Sequence, residues 1–89
     1  MFKILAIVTT PDGEDIFSEK TVDFNEIPDE IVDIIKTLPV NVEYSFYMED
    51  KKGNKTFLIN SDIAKLIKKN KIKKYIDLLL DEWVFPQII

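Results

Sequence analysis

The chain has 89 residues and a formal net charge of −4, which is enough for one domain and no more. Hydrophobic residues make up 46% and charged residues 31%, the balance of a folded globular domain. There is no cysteine and no histidine. Disulfide staples, thiolate zinc sites, cysteine nucleophiles and the usual imidazole base are thereby excluded.

Met1 to Thr10 is apolar but too short to span a bilayer, and it lacks a small-residue cleavage site. It is read as a first strand, and the cytoplasm, with no membrane partner, is the expected setting. Apolar residues alternate onto both of its sides, which predicts a central strand covered on both faces. Thr10-Pro11-Asp12-Gly13 is a turn signal, because proline presets φ and glycine closes the turn. Asp15 to Phe24 returns as an edge strand, with Glu19 and Lys20 discouraging foreign pairing.

Ile27, Ile31, Ile34, Ile35 and Leu38 recur at helical spacing, which predicts a helix over 28–38 that Pro39 stops. Val40 to Glu49 alternates cleanly, with Val42, Tyr44, Phe46 and Met48 turned inward. Asp50 to Asn54 is a hairpin loop in which Gly53 supplies the left-handed residue. Lys55 to Asn60 is the partner strand, with Phe57 and Ile59 on one face and Leu58 on the other.

Ser61 is the expected cap of a short helix over 62–69. Ile63, Leu66 and Ile67 point one way at helical spacing, and Ile72, Ile76, Leu79 and Trp83 point the opposite way. A break is therefore placed at Asn70 in a left-handed cap, followed by a second helix over 71–84. Pro86 is expected to end it. Phe85 to Ile89 is expected to fold back onto the sheet, where it would add to the stability of a small core.

The predicted class is α+β, in the order ββαββαα, with a four-stranded, mostly antiparallel sheet packed by helices. The first four strands and helix share the element order of β-grasp folds, an analogy of topology that carries no function. The expected core comprises Ile4, Ala6, Ile7, Val8, Ile31, Ile35, Leu38, Val42, Tyr44, Phe46, Phe57, Ile63, Ile67, Ile76, Leu79 and Trp83.

No serine lies in a nucleophile elbow, and two glycines cannot build a phosphate loop. Asp12, Glu14 and Asp15 cluster at one turn, but without the remaining ligands of a calcium loop they read as turn residues. No catalytic residue, metal ligand or cofactor is assigned.

Charge segregation is the most informative feature. Residues 1–50 carry three lysines and twelve acids, a net of −9; residues 51–89 carry nine lysines and four acids, a net of +5. The lysines concentrate between Lys51 and Lys74, with Lys65, Lys68, Lys69, Lys71, Lys73 and Lys74 on the predicted helices. Asp12, Glu14, Asp15, Glu26, Asp29, Glu30 and Asp33 form a candidate acidic surface. If the fold keeps the halves apart, the chain is an electrostatic dipole. Trp83, Phe85, Ile88 and Ile89 add an apolar end that suits a partner or a second copy in a homodimer.

These features predict a small, acidic, non-enzymatic binding protein that contacts another protein, such as an inhibitor or adaptor encoded by a virus, a phage or another mobile element. The alternative is a nucleic-acid-binding module that uses the stripe from Lys51 to Lys74. A pI of about 4.7, the absence of arginine and the lack of an interleaved aromatic series weigh against it.

Overall fold

The computed structural model describes residues 1–39 and 41–88, with side chains described through Glu82. The elements are β1 (Phe2–Thr10), β2 (Gly13–Val22), α1 (Ile27–Thr37), β3 (Glu43–Glu49), β4 (Lys55–Asn60), α2 (Ser61–Leu66) and α3 (Ile72–Ile88), with short 3₁₀ turns before α1 and α3. The expected α+β architecture is present. The four strands form one antiparallel sheet in the order β2-β1-β3-β4. β2 is an edge strand, as its charges predict.

Local chemistry sets the boundaries. Pro11 and Asp12 make the two-residue link between β1 and β2, where Gly13 takes a φ of 130°. Pro28 sits in the first turn of α1, where its missing N–H costs nothing. β3 begins later than the alternation predicts because Asn41 adopts a φ of 67° and turns the chain just before it. Val40, expected in that strand, lies outside the described residues.

One face of the sheet builds the core. Ile4 and Ala6 of β1, Phe46 and Met48 of β3, and Leu58 and Ile59 of β4 are buried there. They pack against Ile27, Ile31 and Ile34 of α1 and Ile72, Ile76 and Leu80 of α3. Ile63 and Ala64 of α2 close the same side. Ile35, Leu38, Tyr44, Ile67 and Leu79 are half-buried around this centre, and Ile7, Val8 and Val42 are only half-buried. Trp83, also expected in the core, lies outside the described side chains.

Four expectations are corrected. Phe46 pairs with Ile59 and Tyr47 with Phe57, so Leu58 is the extra residue of a β-bulge. The bulge breaks the alternation: Leu58 and Ile59 both enter the core, and Phe57 turns out to the opposite face at 41% exposure. The break between the last two helices falls at Ile67 and Lys68, which are both extended, and Asn70 lies in a 3₁₀ turn. Asn60 caps α2, its side-chain oxygen accepting from the Ile63 N–H at 2.9 Å. Ser61 is buried instead, with its Oγ accepting from the Tyr44 N–H at 3.4 Å. Finally, the backbone of α3 continues through Pro86 to Ile88, so Pro86 does not end the helix as expected.

Candidate functional site

The second face of the sheet is where the fold departs most from expectation. The apolar sides of β1 predict cover on both faces, yet among the described residues every helix packs on the same one. Among the described residues nothing packs on the other face, and the strand register fixes its contents.

Lys3, Leu5, Ile7 and Thr9 of β1 stand in a line along its middle. Beside Leu5 lie Glu19 of β2 and Tyr47 of β3, and Tyr47 in turn neighbours Phe57 of β4. The Tyr47 and Phe57 rings meet edge to face at 5.7 Å, a favoured aromatic geometry. Beside Ile7 lie Ile16 and Ser45. Two consecutive rows across the sheet therefore hold an apolar patch of Leu5, Ile7, Ile16, Tyr47 and Phe57.

Leu5 retains only 3% exposure, whereas Ile16 is 63% exposed. Phe17, the bulge residue between β1 and β2, is also exposed. An apolar cluster on an open sheet face, rimmed by charge, is the usual character of a contact surface. Its rim includes the ion pair from Lys3 to Glu19 at 3.3 Å.

The register also sorts the charges. The β1–β2 hairpin carries exposed Asp12, Glu14 and Asp15 at one end of the sheet. The β3–β4 hairpin carries exposed Lys51, Lys52 and Lys55 at the other end, because Glu49 pairs with both Lys3 and Lys55. These hairpins occupy diagonal corners, since β2 and β4 are the two edges. The lysine hairpin is held in shape by Asp50. Its carboxylate accepts from the Lys52 and Asn54 N–H groups, both at 2.9 Å, and from the Asn54 amide at 3.2 Å. These bonds, the Asn54 backbone donor foremost, hold the Asp50 carboxyl below the usual range. A recess of about 430 Å³ opens at this end between Lys3, Thr21, Glu49 and Lys51. Its acids and lysines are mixed, so it presents no single sign of charge.

The remaining sequence candidates fall on the helix side. Asp29 and Lys73, assigned to opposite charge halves, meet at 3.0 Å between α1 and α3. Lys20 of β2 reaches Glu30 of α1 at 2.7 Å. The halves therefore do not stay apart: α1 and α3 staple part of the dipole shut. Glu26 and Asp33 remain exposed on or before α1. Lys65, Lys68, Lys69, Lys71 and Lys74 are exposed around the α2–α3 junction, beside Leu66 at 88% exposure. Asp12, Glu14 and Asp15 do not converge: Glu14 is paired with Thr9 and Asp15 with Val8, so they alternate across the sheet. Among the described residues no three potential metal-ligating side chains gather, and no helix is long and apolar enough to cross a membrane. Trp83, Phe85 and Ile88 lie outside the described side chains, and Ile89 outside the described residues.

Sequence reading missed Leu5, Ile7, Ile16, Tyr47 and Phe57 as a site. The apolar residues on the second side of β1 were the available signal, and it reads equally well as a buried central strand. In comparisons with known proteins, no family model, no curated protein and no solved structure matches the chain.

Proposed function

We propose that the chain is a non-enzymatic binding module that contacts another protein through the open face of its sheet. The observation that carries this is the patch of Leu5, Ile7, Ile16, Tyr47 and Phe57 on a face that no helix covers among the described residues. Burying such a patch yields roughly 25 cal/mol per Å² of apolar surface, a driving force for association that a solvated face does not supply. The inhibitor or adaptor role expected from the sequence fits this surface, because occupying a partner requires no reaction centre. The serines also serve structure: Ser61 bonds the Tyr44 backbone, and Ser18 and Ser45 stand within the sheet ladder.

The test is a pair of face variants, Tyr47→Lys and Ile16→Lys. Both should melt close to the parent, because neither residue is part of the buried core. Both should lose the host proteins that co-purify with the parent. Retention of those proteins by both variants overturns the reading.

The second reading is nucleic-acid contact by Lys65, Lys68, Lys69, Lys71 and Lys74. It is favoured by one observation: all five are exposed, and no ion pair engages them among the described residues. Such binding to random RNA or DNA should fall steeply with salt and collapse in Lys68→Glu/Lys69→Glu, while the two face variants leave it unchanged.

A further inference from the structure

We propose that the occupant of the open face is a second copy of this chain, docked face to face about a two-fold axis perpendicular to the line that joins its acidic and basic corners. This rests on the protein-contact reading above and names its partner.

Charge complementarity selects the partner. A two-fold interface must match itself, because the same patch serves both subunits. The acidic hairpin (Asp12, Glu14) and the lysine hairpin (Lys51, Lys52, Lys55) occupy diagonal corners of one face. A two-fold axis in the interface plane, perpendicular to the diagonal that joins these corners, sets each lysine hairpin against the partner's acidic hairpin, twice. An axis along the strands leaves each acidic hairpin a strand length from the partner's lysine hairpin.

The same axis turns the apolar patch onto its own copy, since Leu5 and Ile7 lie at the middle of β1. Opposite charges meet at the rim and apolar side chains at the centre, the ordinary anatomy of an interface. The size is consistent. A nine-residue strand at roughly 3.3 Å per residue and four strands at roughly 4.8 Å spacing give a face of about 570 Å². Two such faces bury about 1,100 Å² at most, near the lower limit for specific association. The dimer is therefore a weak one.

Sedimentation equilibrium between 10 μM and 1 mM tests this on the full chain. The parent should dimerise in that range, and Tyr47→Lys should weaken the dimer at least tenfold. The decisive experiment is a charge swap. Lys51→Glu/Lys52→Glu and Asp12→Lys/Glu14→Lys should each be monomeric, because each sets like charges against like in its own dimer. Mixed in equal amounts, they should associate one to one, since every corner contact is again between opposite charges. All of these positions are exposed, so folding is not at stake, and circular dichroism confirms it. A parent that stays monomeric to 1 mM, or swapped variants that fail to associate when mixed, overturns the proposal. If the parent is monomeric but Tyr47→Lys still loses a host protein, the second copy is wrong and the protein-contact reading stands. If the face variants change neither self-association nor capture, both are wrong.

Discussion

Lys73 Nζ lies 3.0 Å from Asp29 Oδ1, joining the first turn of α3 to the first turn of α1. The contact links the acidic and basic parts of the sequence, yet both side chains are more than half exposed. Water screens such a pair and side-chain entropy opposes it, so exposed ion pairs add little to stability. Ile76 is three residues further along α3 and has no exposure. What holds α3 to α1 is therefore the isoleucine, while the ion pair aligns the two helix starts.

Two variants separate these roles. Lys73→Ala should leave the melting temperature almost unchanged. Ile76→Ala should cost about 2–5 kcal/mol, the range for opening a cavity in a packed core. Thermal and urea unfolding of both, compared at one pH and salt concentration, measures the difference. A larger loss in Lys73→Ala than in Ile76→Ala would mean that the helices are held by charge.

The bulge in β4 makes a second contrast between adjacent residues. Leu58 is 1% exposed in the core, while Phe57 points to the open face. Leu58→Ala should cost about 2–5 kcal/mol. Phe57→Ala should lose mainly its edge-to-face contact with Tyr47, about 0.5–1.5 kcal/mol. Regular alternation, with Phe57 and Ile59 sharing a face, demands the reverse order. Urea midpoints of the two variants therefore test the register directly.

These two residues also show what sequence conveys and where it stops. The α1 stripe was legible because a surface helix repeats its apolar positions with one period, and Ile27, Ile31 and Ile34 are buried as that period requires. β2 was legible as an edge because Glu19 and Lys20 would be costly inside a sheet. A bulge leaves no comparable mark: one extra residue inverts the parity of all that precede it, and nothing in Lys55 to Asn60 announces it. The open face was hidden for a related reason. Leu5 and Ile7 show that the second side of β1 is apolar, but whether a helix lies over it depends on which way three helices pack. That choice is made by the assembled core and not by β1. The charge dipole was legible in the counts, and its partial closure by Lys73 and Asp29 required the α1–α3 contact.

The start of α2 gives a third test. Asn60 Oδ1 accepts from the Ile63 N–H at 2.9 Å, satisfying one of the donors that a helix start leaves unpaired. Asn60→Ala should cost about 1 kcal/mol. Ser61→Ala removes a longer bond, at 3.4 Å, and should cost less. Hydrogen exchange at the Ile63 amide gives a local readout: it should accelerate in Asn60→Ala and stay unchanged in Ser61→Ala.

The pH dependence of stability follows from four groups, of which Tyr44, raised by burial, acts in the same direction as the lysines at the alkaline end. Lys20 is raised above its ordinary value, chiefly by its bond to Glu30, and Lys73 likewise by its bond to Asp29. A raised lysine contributes stability that is fully present below its unfolded value and is lost as the pH rises through the folded value. Both contributions therefore persist through neutrality and fade only above about pH 10. Asp50 is lowered, chiefly by the Asn54 backbone donor. Its contribution is present above the unfolded carboxylate value and is lost as the pH falls through the folded one, below about pH 4. With no histidine in the chain, the melting temperature should be nearly flat from about pH 5 to 9. Asp50→Asn removes the titrating carboxylate from the hairpin. It should lower the neutral plateau slightly and flatten the acid limb, so that parent and variant converge below about pH 3. Melting curves taken at half-unit intervals measure this. An acid limb unchanged in Asp50→Asn would mean that the hairpin carboxylate plays no part in acid stability and that other acids set it.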